Sequence, residues 1–336
     1  QDCKLIILDE AVAALNKPEL DVLINVIKEV SSLGVSFFYV SQRPEYLRKI
    51  GNRVTILKDG KIIESKSLQS ISSEEILKKI MRKTFSKRYP KLSMNKGKEV
   101  LRVRNLKGSY HLHDLNFSIY KHEIVGLYGI MGSGRTLLGK TLFGVLPFIN
   151  GEISINGELI NDYNHQKAID HGICYISEDG RAEGLILNRS VKENITITDL
   201  DRFIKHGLIN LEKEDYIAQD YIEKLAIKSV SSDTKAGTLS GGNKQKIILA
   251  KWFNYGANIF ILDEPTRGID ISSKIDVYNI LNKLLLSGSS IFLISSDIDE
   301  LIGMCDRILI IKDGTIIKEI PHNEADADTI FKITYN

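Results

Sequence analysis

Two stretches of this chain, Leu5 to Ile63 and Ile259 to Ile317, are versions of one sequence. Laid over each other without a gap, KLIILDE falls on NIFILDE, SFFYVSQ on SIFLISS, and NRVTILKDGKII on DRILIIKDGTII. Each version reads as an apolar strand, a helix, a second strand, a short helix and a closing hairpin. Strands that alternate with helices in this way build a parallel sheet in an α/β fold. The repeated unit is longer than the roughly 20–45 residues of a solenoid repeat, so it reads as the tail of a duplicated domain. Residues 1–92 are therefore expected to be the C-terminal remainder of a first copy with a basic linker, and residues 98–336 a complete second copy.

The bulk numbers allow this. The 336 residues can bury two cores, and 43% hydrophobic with 26% charged residues is ordinary globular composition. The 45 basic side chains exceed the 43 acidic ones by two, so net charge gives no reason to expect nucleic acid as a partner. Cys3, Cys174 and Cys305 are odd in number and far apart, which suits reduced thiols in a cytoplasm and offers no metal pair. Apolar runs such as SIFLIS have strand length, far below the roughly 20 residues that cross a bilayer. The opening QDCKLIILDE lacks the basic and long apolar regions of a signal peptide and resembles the middle of a domain, so the fold is expected to start before residue 1. The basic tract from Lys78 to Lys98 would suit anionic headgroups or RNA. With no aromatic stacking platform beside it, a solvated linker is the preferred reading.

The second copy opens with VLRVRNL and LNFSI, short alternating segments of a small antiparallel sheet. EIVGLYG then feeds GIMGSGRT, and RTLLGKTLFGVL has helical spacing. Strand, glycine loop and helix form the context of a phosphate loop; a purely structural turn is the alternative. Gly129, Gly132 and Gly134 with Ser133 would curl the backbone so that N–H groups point inward at a triphosphate. Thr136 would offer a hydroxyl to Mg²⁺. Arg135 stands where such loops carry lysine: it keeps the charge but is a planar fork on a longer stem.

In IFILDEPT, four apolar residues bury a strand that ends in Asp263 and Glu264. Asp263 would hold the magnesium through water, and Glu264 would orient or deprotonate an attacking water; strand-end acids that merely cap a turn are the bland alternative. LSGGNKQK follows the phosphate loop and precedes these carboxylates, with Ser240, Gly241 and Gly242 opening a helix. It resembles the signature sequence of ATP-binding cassette proteins. His111 and His113, two apart, look like polar decoration of an exposed strand, since no third metal ligand accompanies them.

From about Glu99 to Ile320 the chain resembles the second cassette of the ATP-binding proteins of bacterial ABC monosaccharide importers, the ribose, galactose and xylose group. The matching stretches are GIMGSGRT, ICYISEDGRAEGLILNRSVKENI, LSGGNKQK, ILDEPTRGID and LISSDIDELIGMCDRI. The resemblance implies a P-loop NTPase of the cassette type: an α/β RecA-like core, a helical signature subdomain and a small antiparallel β subdomain. It implies ATP and Mg²⁺ as cofactors, held in a head-to-tail sandwich between the phosphate loop of one cassette and the Ser-Gly-Gly of another. It also implies a membrane permease as partner, a periplasmic or lipid-anchored sugar-binding protein acting indirectly, and a location on the cytoplasmic face of the membrane. Arginine in the phosphate loop and serine at the switch position, here Ser296, are traits of that second cassette. Glu178 aligns with the residue that senses magnesium and attacking water, Asp270 with the inter-cassette aspartate, and Tyr110 with the adenine stacker, although a surface tyrosine on a first strand is equally ordinary.

In the first copy Asp9 and Glu10 repeat the carboxylate pair, but Ala11 and Val12 stand where the second copy has Pro265 and Thr266. Gln42 replaces the expected histidine; it can donate a hydrogen bond but cannot exchange a proton near neutral pH. The partner cassette is expected in the same polypeptide or as a second copy closing symmetrically. Three functions compete: an ATPase that energises a sugar importer, a nucleotide-binding module without turnover, and a soluble cassette protein acting on ribosomes or DNA. The transport-type RGID and ISED stretches favour the first.

Overall fold

The strands at Ile124–Tyr128, Ile259–Asp263 and Ser290–Ile294 are apolar at consecutive positions, a pattern stable only where both faces of a sheet are covered, and all three are buried throughout. A computed structural model describes residues 3–9, 17–41, 44–58, 60–80, 88–205 and 207–335. They fall into two compact units, Gln1–Lys87 with Asp270–Ser272, and Arg88–Ile269 with Ser273–Asn336.

In the larger unit the central sheet runs Ile173–Ile176, Ile259–Asp263, Ser290–Ile294, Ile124–Tyr128, Arg307–Lys312 and Thr315–Pro321. The first five strands are parallel and the last is an antiparallel hairpin partner. Helices Arg135–Leu142 and Ile271–Leu286 follow two of these strands, as the sequence spacing predicts. The expected small antiparallel sheet is present, in the order Leu115–Tyr120, Glu99–Gly108, Phe148–Ile155, Glu158–Leu159. Phe117 from this sheet stacks on Phe292 of the central one, ring centroids 5.5 Å apart and nearly parallel, which ties the two layers together.

A helical portion carries Val191–Thr196, Leu211–Lys224 and Gly241–Tyr255. The first of these starts on a capping box, Ser190 and Glu193 each satisfying the other's backbone N–H, and Thr196 donates to the buried Glu214 at 2.7 Å.

The smaller unit has the element order of the repeat. A parallel pair, Leu5–Asp9 with Ser36–Val40, is connected through helix Lys17–Ser32, and helix Pro44–Ile50 leads to the hairpin Arg53–Lys58 and Lys61–Ser67. The correspondence extends to a defect: the hairpin register slips between Ile56 and Leu57 here, and between Ile310 and Ile311 in the larger unit, which are aligned positions.

Two expectations need correction. His111 and His113 do not alternate along a strand: the strand ends at Gly108, and His111 adopts a left-handed φ of 45°, which an extended chain does not tolerate. Nor is the basic tract solvated throughout. Tyr89 and Met94 pack on the core of the larger unit, and Lys91 donates to the Cys305 carbonyl at 2.7 Å while pairing with Asp306 at 2.9 Å. Among the described residues no helix is long and apolar enough to cross a membrane.

Replacing Phe292 by alanine removes the ring that joins the two sheets. Urea unfolding followed by circular dichroism is expected to give a loss of about 3–5 kcal/mol.

Candidate functional site

The carboxyl ends of parallel strands are where open α/β sheets bind ligands, and the predicted residues gather there. Ile124–Tyr128 runs directly into Gly129. A Cβ at Gly129 would lie 2.4 Å from Ser133 Oγ and 2.5 Å from the Ile311 carbonyl oxygen, so no side chain fits. Gly132 and Gly134 take left-handed φ values of 82° and 101°, and the helix Arg135–Leu142 starts on Gly134 without a side-chain cap. Its first-turn N–H groups are thus left to an external acceptor. Ser133 is 2% exposed, and its hydroxyl has no hydrogen-bond partner among the described residues. A buried, unpartnered hydroxyl beside an uncapped helix start fits a phosphate chain.

Asp263 closes its strand at 1% exposure and accepts from the Tyr175 hydroxyl at 3.0 Å, with the Thr136 hydroxyl nearby. Burial pushes its carboxyl above the ordinary range, against the pull of the neighbouring Thr136 and Tyr175 hydroxyls. Burial also raises the Tyr175 phenol, which stays a donor. Thr136 and Asp263, the two expected magnesium ligands, are therefore neighbours at the strand ends. Among the described residues no three His, Cys, Asp or Glu side chains form a metal cage, so a divalent ion here would complete its shell with phosphate oxygens and water.

Glu264 has a left-handed φ of 51°, and its N–H donates to the Ile294 carbonyl at 2.9 Å. That turn aims the carboxylate at the phosphate loop, where Oε1 accepts the Ser296 N–H at 2.7 Å and Arg135 Nη1 at 3.1 Å. Burial raises the Glu264 carboxyl while the Arg135 guanidinium and the Ser296 bond act against the rise. Ser296 thus engages the site through its backbone, and Arg135 reaches across to the carboxylate.

The remaining predicted residues are placed less directly. Glu178 pairs with Arg267. Ser240 begins the helix Gly241–Tyr255 and accepts from Asn243 Nδ2 at 2.8 Å; a Cβ on Gly242 would strike Ser273 Oγ at 2.5 Å. Among the described residues Ser240 makes no hydrogen bond to the phosphate loop. Asp270 accepts from the Ser272 hydroxyl. Tyr110 is 56% exposed in the loop after Gly108. Asp9 ends the strand Leu5–Asp9, whereas Glu10, Ala11, Val12 and Gln42 lie outside the described residues.

Sequence reasoning missed three supports. Tyr175 sits in an apolar strand where only its hydroxyl betrays a polar task. Glu300 is buried and accepts from Thr266 at 2.6 Å and Tyr278 at 2.9 Å, so it props the Asp-Glu-Pro-Thr turn from behind. An acid on the apolar face of the short helix Ile298–Met304 was the available signal. Gly314 donates its N–H to the Ser133 carbonyl at 2.9 Å.

Gly129→Ala is expected to lower nucleotide affinity at least about tenfold by titration calorimetry, because the loop must open to admit the methyl group. Gly157→Ala, at a φ of 85° with nothing within 4 Å, should cost about 1 kcal/mol of stability and leave affinity unchanged.

A family model described as ABC transporter matches residues 112–267. The ribose import ATP-binding protein RbsA of Bacillus licheniformis is 37% identical over 332 residues, 99% of this chain and 67% of that protein. Proteins of the same name from Clostridium perfringens (strain SM101) and Bacillus subtilis are 39% and 38% identical over 334 residues, with 99% of this chain and 67% of theirs covered. The fold is shared with solved structures. An ATP-binding cassette of an ABC transporter in its ADP conformation superposes with a TM-score of 0.58 at 21% identity, over 70% of this chain and 98% of that one. A dimeric cassette in a post-hydrolysis state with ADP and Pi gives 0.58 at 21% identity, over 66% and 98%. With 99% of its length matched to proteins of which it spans 67%, the chain belongs to the ABC transporter family of ATP-binding proteins.

Proposed function

We propose that this protein is the ATP-binding and ATP-hydrolysing subunit that energises a bacterial monosaccharide importer. Ribose is the sugar in the names of its relatives. The observation that carries the reading is the meeting of Gly129–Thr136, Asp263 and Glu264 at neighbouring strand ends. In this reading residues 1–92 and 98–336 are a first-cassette remainder and a second cassette.

The loop Gly129–Thr136, through the N–H groups at the start of its helix and the unpartnered Ser133 hydroxyl, holds the phosphates of ATP, and Tyr110 stacks on the adenine. Thr136 and Asp263 hold Mg²⁺, which neutralises phosphate charge. Glu264, fixed by the Ser296 N–H, orients the attacking water; Glu178 and Ser296 border the same water. Ser240, Gly241 and Gly242 act on the γ-phosphate of a facing cassette, in the same polypeptide or in a second copy, and Asp270 joins the two. Closure on ATP and reopening after hydrolysis drive a membrane permease from its cytoplasmic side, the sugar having arrived on a periplasmic or lipid-anchored binding protein.

A second reading, a nucleotide-binding module without turnover, is favoured by one contact: the Arg135 guanidinium occupies the carboxylate that must act on water. Phosphate release separates the two. Steady hydrolysis that falls about a hundredfold or more in Glu264→Gln supports the ATPase. Tight ATP binding with no hydrolysis in either protein supports the module. Ser240→Arg should abolish cooperative turnover and leave ATP affinity unchanged, since that serine serves the opposing site; equal loss of both would contradict the sandwich.

A further inference from the structure

Lys312 and Thr315 pair across the hairpin that ends the central sheet, and the two residues between them, Asp313 and Gly314, both have left-handed φ values, 47° and 73°. A two-residue turn of this kind favours Asp-Gly on its own account. Its surroundings demand more. The Gly314 N–H donates to the Ser133 carbonyl in the phosphate loop at 2.9 Å, and the Gly314 carbonyl accepts from the His113 N–H at 2.9 Å. One glycine thus grips the phosphate loop with its donor and the loop carrying Tyr110 with its acceptor.

That second loop is seated from the other side as well. Gly108 donates to the Leu112 carbonyl at 3.1 Å, and the buried Leu112 side chain lies over Gly134, 3.1 Å from where a Cβ would stand. Between these anchors the chain bulges through His111 and leaves Tyr110 exposed. The packing leaves no slack. A Cβ on Gly314 would fall 1.5 Å from the His111 carbonyl oxygen and 2.6 Å from its carbon, both backbone atoms that no rotamer change can clear.

We infer that the Asp313–Gly314 turn is the spacer that sets the distance between the purine platform at Tyr110 and the phosphate loop. Gly314 is thereby a positioning residue for the nucleoside half of the substrate. The inference rests on the nucleotide reading of the site and on Tyr110 as the platform. A side chain at 314 pushes the Ser109–His113 loop away while Gly129, Gly132 and Gly134 keep their own conformations. Affinity for the base should fall and affinity for the phosphates should not.

The repeat supplies a control. Gly60 aligns with Gly314, has a φ of 76°, and has nothing within 4 Å of where its Cβ would stand. Gly60→Ala therefore carries the backbone strain of such a turn without the collision.

The test is equilibrium binding of ATP and of inorganic tripolyphosphate to the full chain. Gly314→Ala should weaken ATP about tenfold or more, the scale of one lost base–aromatic stack, and leave tripolyphosphate within about twofold. Gly60→Ala should change neither. Leu112→Ala, which loosens the same loop without touching the hairpin, should give the same split and covers the case in which Gly314→Ala fails to fold. Tyr110→Ala should weaken ATP as much as Gly314→Ala, and the double variant no further. Equal loss of both ligands in Gly314→Ala and Leu112→Ala, or loss of neither, overturns the spacer. Tyr110→Ala with unchanged ATP affinity overturns the platform on which it acts, and a wild-type chain that binds neither ligand overturns the nucleotide reading beneath both.

Discussion

Three hydrogen-bonded parallel strands place the chemistry. Ile259–Asp263 pairs with Ser290–Ile294, which pairs with Ile124–Tyr128, and the register puts Asp263 opposite Ile294 and Ile294 opposite Leu127. Adjacent strands lie about 4.8 Å apart, so the segments that follow them, Glu264, Ser295–Ser296 and Gly129, emerge side by side. Glu264 then bonds back to Ile294, and Ser295 N–H to Leu127, which extends the ladder one step past each strand into the site. Loops supported in this way are positioned by the sheet and not by their own stiffness. A slip of one residue would turn the carboxylates to the other face and empty the site.

Within that frame Arg135 and Glu264 form the closest ion pair between the loop and the strand-end carboxylates. Glu264 is buried enough that its ionised form is disfavoured, and the guanidinium 3.1 Å away counters this. The Arg135 and Ser296 contacts hold the carboxylate in one orientation. Arginine's fork can hold a carboxylate and a phosphate oxygen on different nitrogens, which a lysine ammonium does less selectively. The residue that looks like a substitution at the phosphate loop is thus also a support for the glutamate.

Much of this was legible in the sequence because it rests on periodicity and on glycine. The aligned repeats forecast both sets of strands and helices, and the phosphate loop lies where strand, glycines and helix succeed one another. What was not legible depends on the far side of a contact. Tyr175 and Glu300 look like ordinary residues of a strand and a helix until Asp263 and Thr266 are brought to them by segments distant in the chain. His111 and His113, two apart, read as one face of an exposed strand, yet His111 and Asp114 both take positive φ, which their spacing does not reveal. The basic tract misled for a related reason: Lys91 is charged, but Asp306 and the Cys305 carbonyl give that charge a place to dock.

The duplication separates what a fold requires from what a site requires. Both copies end in a Lys-Asp-Gly hairpin, and both hairpins slip register at the aligned position, so the glycine is accounted for twice by turn geometry. Around Gly60 the described residues leave open space; around Gly314 two backbone loops converge to bonding distance. Identical local sequence therefore carries one constraint in the first unit and two in the second. The difference lies wholly in the neighbours, the Gly129–Thr136 loop and the Ser109–His113 loop, which is why a glycine that looks like mere punctuation in the sequence is wedged between two loops in the larger unit.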